Sequence, residues 1–438
     1  MIKNKKNRRV PTWKLSRLLG LGGMTAGILG NVFYSASKNL LKGQRPDLKD
    51  LIITQANVLK FTNQLLQMRG AALKVGQLLS LESGDFLPPE ISSILAELRN
   101  SAEAIPVEQV KEVLVSCWGK NYIHDFENFE EIPIAAASIG QVHRGKLKNG
   151  KVLAIKIQYP GIKESIDSDM DSLGFILNSS GIIPQFLDFK SLLIAGREQL
   201  YKETDYKKEA IYLDSFYNLL ENDKNFSVPK LEKNFTTNKT LAMEFKKGIT
   251  IDKIASCSQD TKDRVIYNMV DLFFRELFQF SLVQTDPNYA NFLFDQNTGK
   301  IILLDFGATV SVSSEISFKF KKLFLETMRS NKEETKQALY DLEILDKNLP
   351  QLLITKLINL YWEEMEPIRE GKNFDFARSD IFEKIDDLSG EIILLKSKIQ
   401  IPSIEVLSIQ RKVGGLFLLA RRFQSRIDIT GIMNKYIK

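Results

Sequence analysis

The sequence predicts an α+β fold: helices in front, a small sheet, then a large helical part. Residues 51–82 and most of the chain after Asp263 carry apolar side chains at helical spacing, while 132–158 alternate with a period near two. The strands are grouped rather than interleaved with helices, which argues against a doubly wound parallel sheet. A length of 438 residues allows about two to three domains at roughly 150 residues each. With 44% hydrophobic and 26% charged residues, the chain is able to bury a core.

Residues 1–46 stand apart by charge. Ten bases, from Lys3 to Arg45, precede the first acid, Asp47, so the remaining chain has a net charge of −4 against +6 overall. A mildly acidic body behind a basic head argues against a general nucleic-acid binder, whose charge would form a patch on the folded domain. Twenty uncharged residues lie between Arg17 and Lys38, just enough to span a bilayer. Gly20, Gly22, Gly23, Gly27 and Gly30 make that stretch only weakly apolar. A helix docking on an anionic lipid surface fits it better than a span.

Residues 47–125 read as a helical extension. One helix covers 51–82 and contains Lys74-Val75-Gly76-Gln77; a turn at Gly84 and Pro88-Pro89 precedes a helix to about Arg99, and another runs over Val107–Cys117. Residues 126–245 carry the sheet. Within 132–158 the pattern is strand, small-residue turn, strand, Lys148-Asn149-Gly150 turn and strand. Residues 196–220 are helical, and two short strands follow, the second over Thr240–Phe245. Residues 246–438 are helical apart from Asn291–Phe306, two short strands around Asn297-Thr298-Gly299. Two cysteines (Cys117, Cys257) and two histidines (His124, His143) exclude a disulfide scaffold, make a Cys/His zinc site implausible, and leave little for a histidine-based hydrolase.

The chemistry lies in the last two parts. In a strand over 152–157, Val152, Ala154 and Lys156 share one face and Leu153, Ile155 and Ile157 the other. A lysine on an apolar strand needs a counter-charge. Asp205 and Glu209, four apart on one helical stretch, offer it, and their mutual repulsion implies a cation between or beside them. The alternative is a strand lysine reaching solvent and a solvated acid pair beside Lys207 and Lys208. Asp286 sits where the helix of 263–283 ends, since Pro287 blocks continuation. Asn291 follows five residues later, and the apolar run Ile301–Leu304 leads into Asp305-Phe306-Gly307. Asp286, Asn291 and Asp305 supply hard oxygen donors of the kind magnesium takes. In order, strand lysine, helix glutamate, Asp-x4-Asn and Asp-Phe-Gly make a protein-kinase-like phosphoryl-transfer arrangement. No Walker-type GxxxxGK[ST] is present, and no GxGxxGxV precedes Lys156. An alanine-rich loop stands there instead, and alanine restricts φ where glycine would not.

This loop and the other motifs together resemble the UbiB family of atypical kinase-like proteins over nearly the whole chain. The family's KxGQ motif matches Lys74–Gln77, its alanine-rich loop Ala135–His143, its strand lysine Lys156, and its ExDYxxEA segment Glu203–Ala210. The resemblance implies a bilobal protein-kinase-like fold with an N-terminal helical KxGQ extension, and ATP and Mg2+ as cofactors. It implies that Lys156 pairs with Glu209 and that Lys156, Glu209 and Asp286 are catalytic. The nucleotide is expected at Ala135, Ala136, Ala137, Ser138, Ile139, Gly140, Gln141, Val142, Lys156 and Glu244, and the metal at Asn291 and Asp305. Lys74 and Gln77 are expected to be regulatory, facing Glu203 and Asp205, with their segment covering the place where a kinase binds peptide. One departure is marked. The family's HxDPHPGN loop reads Gln284-Thr285-Asp286-Pro287-Asn288-Tyr289-Ala290-Asn291, without either histidine or the glycine. Metal ligation should persist and turnover should be reduced.

The function this implies is an ATP-binding, ATP-hydrolysing accessory protein of isoprenoid-quinone (ubiquinone) biosynthesis at the membrane, an atypical kinase-like ATPase. A phosphotransferase acting on a small molecule or protein, and a non-hydrolysing nucleotide-binding scaffold, stay open as alternatives. Expected partners are anionic membrane lipids and quinone-biosynthesis enzymes or quinone precursors, not nucleic acid, with a homodimer as a candidate assembly. Basic residues from position 3 and few serines make the head a poor mitochondrial presequence. The expected place is the cytoplasmic face of a bacterial inner membrane, or the mitochondrial inner membrane in a eukaryote.

Overall fold

The computed structural model describes residues 104–136, 139–180, 189–381, 383–385, 387–388 and 402–437. The basic head, the helices expected over 51–99 with Lys74 and Gln77, and Ala137 and Ser138 lie outside the described residues. The chain divides into two compact units: the described residues up to Ala210 with Leu231–Phe245, and Ile211–Lys230 with the chain from Lys246 on.

The first unit opens on α1 (Val107–Trp118), the helix expected there. Strands β1 (Phe126–Phe129), β2 (Ala135–Ala136), β3 (Gly140–Leu147) and β4 (Val152–Gln158) follow. Then come α2 (Ile162–Ser180), α3 (Phe189–Glu203) and α4 (Tyr206–Leu220), the last carrying the chain into the second unit. There β5 (Phe226–Ser227) is laid down before the chain returns as β6 (Thr240–Glu244). The sheet of the first unit runs β1-β3-β4-β6 with β2 beside β3, every pairing antiparallel. Central β4 buries Leu153, Ile155 and Ile157 and leaves Val152, Ala154 and Lys156 half-buried, as strand alternation demands. Trp118, Phe126 and Phe235 pack as an aromatic cluster, centroids 5.1–6.0 Å apart, that seats α1 against the sheet.

The single helix expected over 196–220 is broken at Thr204-Asp205. Asp205 Oδ1 accepts the Lys208 amide (3.0 Å), so this residue precedes and caps α4 rather than sharing a face with Glu209. The two acids therefore do not share a helix face, which corrects the sequence reading, while the cation expected beside them is the Lys156 ammonium, which pairs with Glu209.

The second unit is built on β7 (Ile249–Thr250) and α5 (Gln259–Arg275), which Glu276–Phe280 prolong as a π turn. Ser281, left-handed at φ 53, ends it, and β8 (Leu282–Gln284) follows. The helix expected over 263–283 thus stops early. Val283 is buried where β8 pairs with β11, so Asp286 leaves a strand instead of a helix end. Next come β9 (Phe292–Phe294), β10 (Ile301–Leu303) and β11 (Thr309–Ser311). The turn between β9 and β10 is held by Asp295, which accepts the amides of Asn297 and Thr298. The sheet order is β5-β10-β9-β7, with β8 and β11 as a separate pair. Helices α6 (Ser314–Met328), α7 (Lys332–Asp341), α8 (Gln351–Glu364) and the short α9 (Glu366–Arg369) precede β12 (Phe374–Asp375). The chain closes with α10 (Ile404–Arg422), capped by Ser403, then β13 (Arg426–Ile427) and α11 (Ile429–Tyr436). Among the described residues no helix is long and apolar enough to cross a membrane.

Candidate functional site

In the first unit Lys156 lies mid-strand, flanked by Val142 on β3 and Leu241 on β6. Its side chain is 17% exposed, and its ammonium forms an ion pair with Glu209 in the first turn of α4, which is 5% exposed. A cation this sheltered is tolerable because its partner carries the opposite charge, and that acid also faces the positive end of its own helix. The reading of a lysine that merely reaches solvent is excluded.

The alanine-rich segment is partly strand: Ala135 and Ala136 pair with Val142 and Gln141. Gly140 follows where a Cβ would stand 2.5 Å from the Ile157 carbonyl and 2.9 Å from the Tyr206 hydroxyl, so a larger residue could not begin β3 there. Ile139 and Gln141 turn their side chains into the core, which leaves them only backbone to offer a nucleotide. Glu244 is half-buried at the end of β6, opposite Leu153. Glu203 ends α3, and Asp205 lines a polar cavity of about 370 Å³ with Gln158, Lys163, Thr204 and Lys239.

Gln141 anchors a chain of hydrogen bonds that fixes a histidine tautomer. The Ile105 amide donates to Gln141 Oε1 (2.8 Å), Gln141 Nε2 donates to His143 Nε2 (2.7 Å), and His143 Nδ1 donates to the Glu130 carbonyl (2.8 Å). A proton on Nε2 would face another donor. Burial accordingly holds the imidazole below its ordinary value, against the pull of the Glu130 carbonyl. Below about pH 6.5 the unfolded chain binds a proton that the folded one refuses, so stability falls as pH drops, by at most about 1.4 kcal/mol per unit. Urea midpoints at pH 7.5 and 5.5 check this: the drop should shrink in His143→Asn, and an equal drop in both proteins assigns it elsewhere.

In the second unit Asp286, Asn291 and Asp305 are drawn together. Asp286 Oδ2 accepts from Asn291 Nδ2 (2.8 Å), and its Oδ1 accepts from Arg411 Nη2 (3.3 Å). The Leu304 amide donates to the Asn291 carbonyl (3.0 Å), and the Gly307 amide to Asp305 Oδ1 (3.0 Å). Gln284 is buried, and its Nε2 donates both to the Asp286 carbonyl (3.1 Å) and to the Asp305 carbonyl (3.2 Å). Phe306 is fully buried, its ring 4.9 Å from that of Phe216 on α4.

Beneath these loops lies a buried ion pair. Lys412 Nζ on α10 is 3.2 Å from Glu276 Oε2 and donates to Gln284 Oε1 (3.3 Å). Burial pushes the Glu276 carboxyl up, and the adjacent Lys412 ammonium opposes that.

The donor set consists of two carboxylates and one amide oxygen, without thiolate or imidazole, which suits a hard cation. Among the described residues no group of three or more His, Cys, Asp and Glu could hold a metal alone.

Residues 97–339 match the model of the ABC1 atypical kinase-like domain. The chain belongs to the ABC1, or UbiB, family. Its relatives include "Atypical kinase COQ8, mitochondrial" of Saccharomyces cerevisiae, 36% identical over 96% of this chain and 84% of the yeast protein. "Atypical kinase COQ8B, mitochondrial" of Rattus norvegicus is 33% identical over 96% of this chain and 80% of the rat protein. Among solved structures, the Rv3197–erythromycin complex of Mycobacterium tuberculosis is alike in fold, with a TM-score of 0.60 and 21% identity over 89% of this chain and 97% of that one. As an ABC1 protein the chain has the α+β, kinase-like fold expected of it, and such a domain implies ATP bound with a metal ion.

Three residues of this ABC1 chain escaped the sequence reading, Glu276, Arg411 and Lys412, and Gln284 entered it only as a lost histidine. A signal for two of them was available. Glu276 continues the buried stripe Met269, Leu272, Phe273, and Lys412 lies on the stripe Val406, Ile409, Leu416, Leu419. Opposite charges on two apolar stripes call for each other. Gln284 is marked only as the residue at the family's first histidine position, and nothing in the sequence marks Arg411.

Proposed function

We propose that this chain binds Mg2+ and ATP and hydrolyses the nucleotide as an accessory protein of isoprenoid-quinone biosynthesis at a membrane surface. The ion pair of Lys156 with Glu209 carries the reading, since a strand lysine held by a helix acid is the phosphate-anchoring device of kinase-like sites. Kinship with the COQ8 proteins supports the quinone assignment. In this reading Lys156 meets phosphate oxygens, the segment Ala135–Val142 and Glu244 meet the nucleotide, and Asn291 and Asp305 hold the ion. Asp286, its carboxylate oriented by Asn291, positions the attacking water. The ion, when bound, would draw charge from the phosphate oxygens. Lys74 and Gln77, with Glu203 and Asp205 as partners, would exclude peptide substrates.

The basic head is the proposed membrane contact, each base near an anionic surface contributing about 1 kcal/mol. The protein would be peripheral, on the cytoplasmic face of a bacterial inner membrane or on the mitochondrial inner membrane, the COQ8 relatives being named mitochondrial. Hydrolysis by the full chain, with and without cardiolipin-containing vesicles and a prenylated phenol, tests the reading. We expect stimulation, and loss of vesicle co-sedimentation when residues 1–46 are deleted. Binding without hydrolysis would make the protein a scaffold, and robust transfer of label to protein would make it a phosphotransferase.

A further inference from the structure

One helix near the end of the chain meets the segment that carries Asp286 at four residues. On α10, Arg411 Nη2 donates to Asp286 Oδ1 (3.3 Å), and Lys412 Nζ donates to Gln284 Oε1 (3.3 Å). Gly415, four residues after Arg411, lies so close to Pro287 that a Cβ on it would come within 1.9 Å of the proline Cβ. The Arg422 guanidinium stands 5.7 Å from the centre of the Tyr289 ring. Residues 411, 415 and 422 lie on one face of the helix, and they meet 286, 287 and 289 in succession.

These contacts restrain the Asp286 carboxylate at both ends. Asn291 holds Oδ2, while Arg411 holds Oδ1 with help from the Asn288 amide (3.4 Å). A carboxylate held at only one oxygen rotates about χ2; held at both, it keeps its plane. Gln284 adds a second restraint. A primary amide has two N–H donors and an acceptor, so one side chain binds the carbonyls of Asp286 and Asp305 and also accepts from Lys412. A neutral imidazole has a single N–H and could not make all three bonds.

We propose that α10 is the positioning element of this site, with Arg411 setting the plane of the Asp286 carboxylate and Gln284, held by Lys412, fixing the Asp286 loop to the Asp305 loop. Arg411 and Gln284 are positioning residues: they act through Asp286 and Asp305. The inference rests on the nucleotide-and-metal reading for its consequence in turnover, and on the geometry of the second unit alone for its consequence in the loop.

The experiment compares Arg411→Gln and Arg411→Lys in the full chain. The control is Arg421→Gln, on the same helix, whose guanidinium pairs with exposed Glu383 instead. Hydrogen exchange over residues 284–291, without nucleotide, reads the loop. It should quicken by about tenfold or more in Arg411→Gln and stay unchanged in Arg421→Gln. Steady-state hydrolysis reads the consequence. In Arg411→Gln, kcat should fall about ten- to a hundredfold while KM for ATP moves less than about threefold, the pattern of a lost outer partner and not of a lost binding group. Arg411→Lys should recover part of both effects, because the ammonium still offers a charged donor. Unchanged exchange in Arg411→Gln overturns the proposal, as does a response no different from that of Arg421→Gln. If the unmodified chain shows no thermal shift with ATP and magnesium, the nucleotide reading fails, and the exchange comparison still decides whether Arg411 holds the loop.

Discussion

Asp305→Asn should abolish the thermal shift that ATP induces in the presence of magnesium. Asp305 follows the buried strand β10, and its place is set by the Gln284 amide on its carbonyl and the Gly307 amide on its Oδ1. Asparagine keeps the shape and an oxygen for Gly307, so the unliganded melting temperature should change little. What it removes is one negative charge from the donor set. A divalent ion next to phosphate oxygens depends on that charge, and its loss should cost about 3 kcal/mol, on the order of a hundredfold in affinity. Fluorimetric melting of both proteins with ATP, with and without magnesium, checks it. A shift of full size in Asp305→Asn would remove Asp305 from the metal-binding set. Lys156→Met should weaken the shift without regard to magnesium, since its ammonium would meet phosphate directly.

Most of the element order was legible because the period of the apolar pattern changes where the structure changes. The turn chemistry around Lys148-Asn149-Gly150 and Asn297-Thr298-Gly299 brackets real strands for the same reason. The misreadings occur where a local hydrogen bond outweighs periodicity. Asp205 ends one helix and caps the next, although the apolar spacing runs on through it. Leu282–Gln284 continues a helical pattern yet forms a strand, because β11 supplies a partner that only the fold brings near. The candidate site follows the same division. Lys156, Asp286, Asn291 and Asp305 are recognisable because their chemistry needs fixed spacings in the chain. The roles of Arg411 and Gln284 are not, because they depend on contacts made 125 and 128 residues away in sequence.

Lys412→Met should be among the most destabilising single substitutions in the second unit. Lys412 and Glu276 are 3% and 0% exposed, and Lys412 also serves Gln284. Removing one member of a buried pair leaves the other charge without compensation, a loss of about 3–5 kcal/mol. Replacing both, as Lys412→Met with Glu276→Leu, should restore most of that, since a buried pair is worth little more than well-packed apolar groups of similar volume. The pH dependence identifies the cause. Burial already pushes the Glu276 carboxyl above its ordinary value, and the lysine is what opposes this. Without it the folded single variant should hold a proton on Glu276 that the unfolded chain releases above about pH 4.5, so its stability falls as pH rises. Urea midpoints at pH 5.5 and 8 should therefore lie further apart in Lys412→Met than in the unmodified chain, and the excess should vanish in the double variant. A single variant as stable as the parent at both pH values would show that Glu276 carries no charge in the native protein.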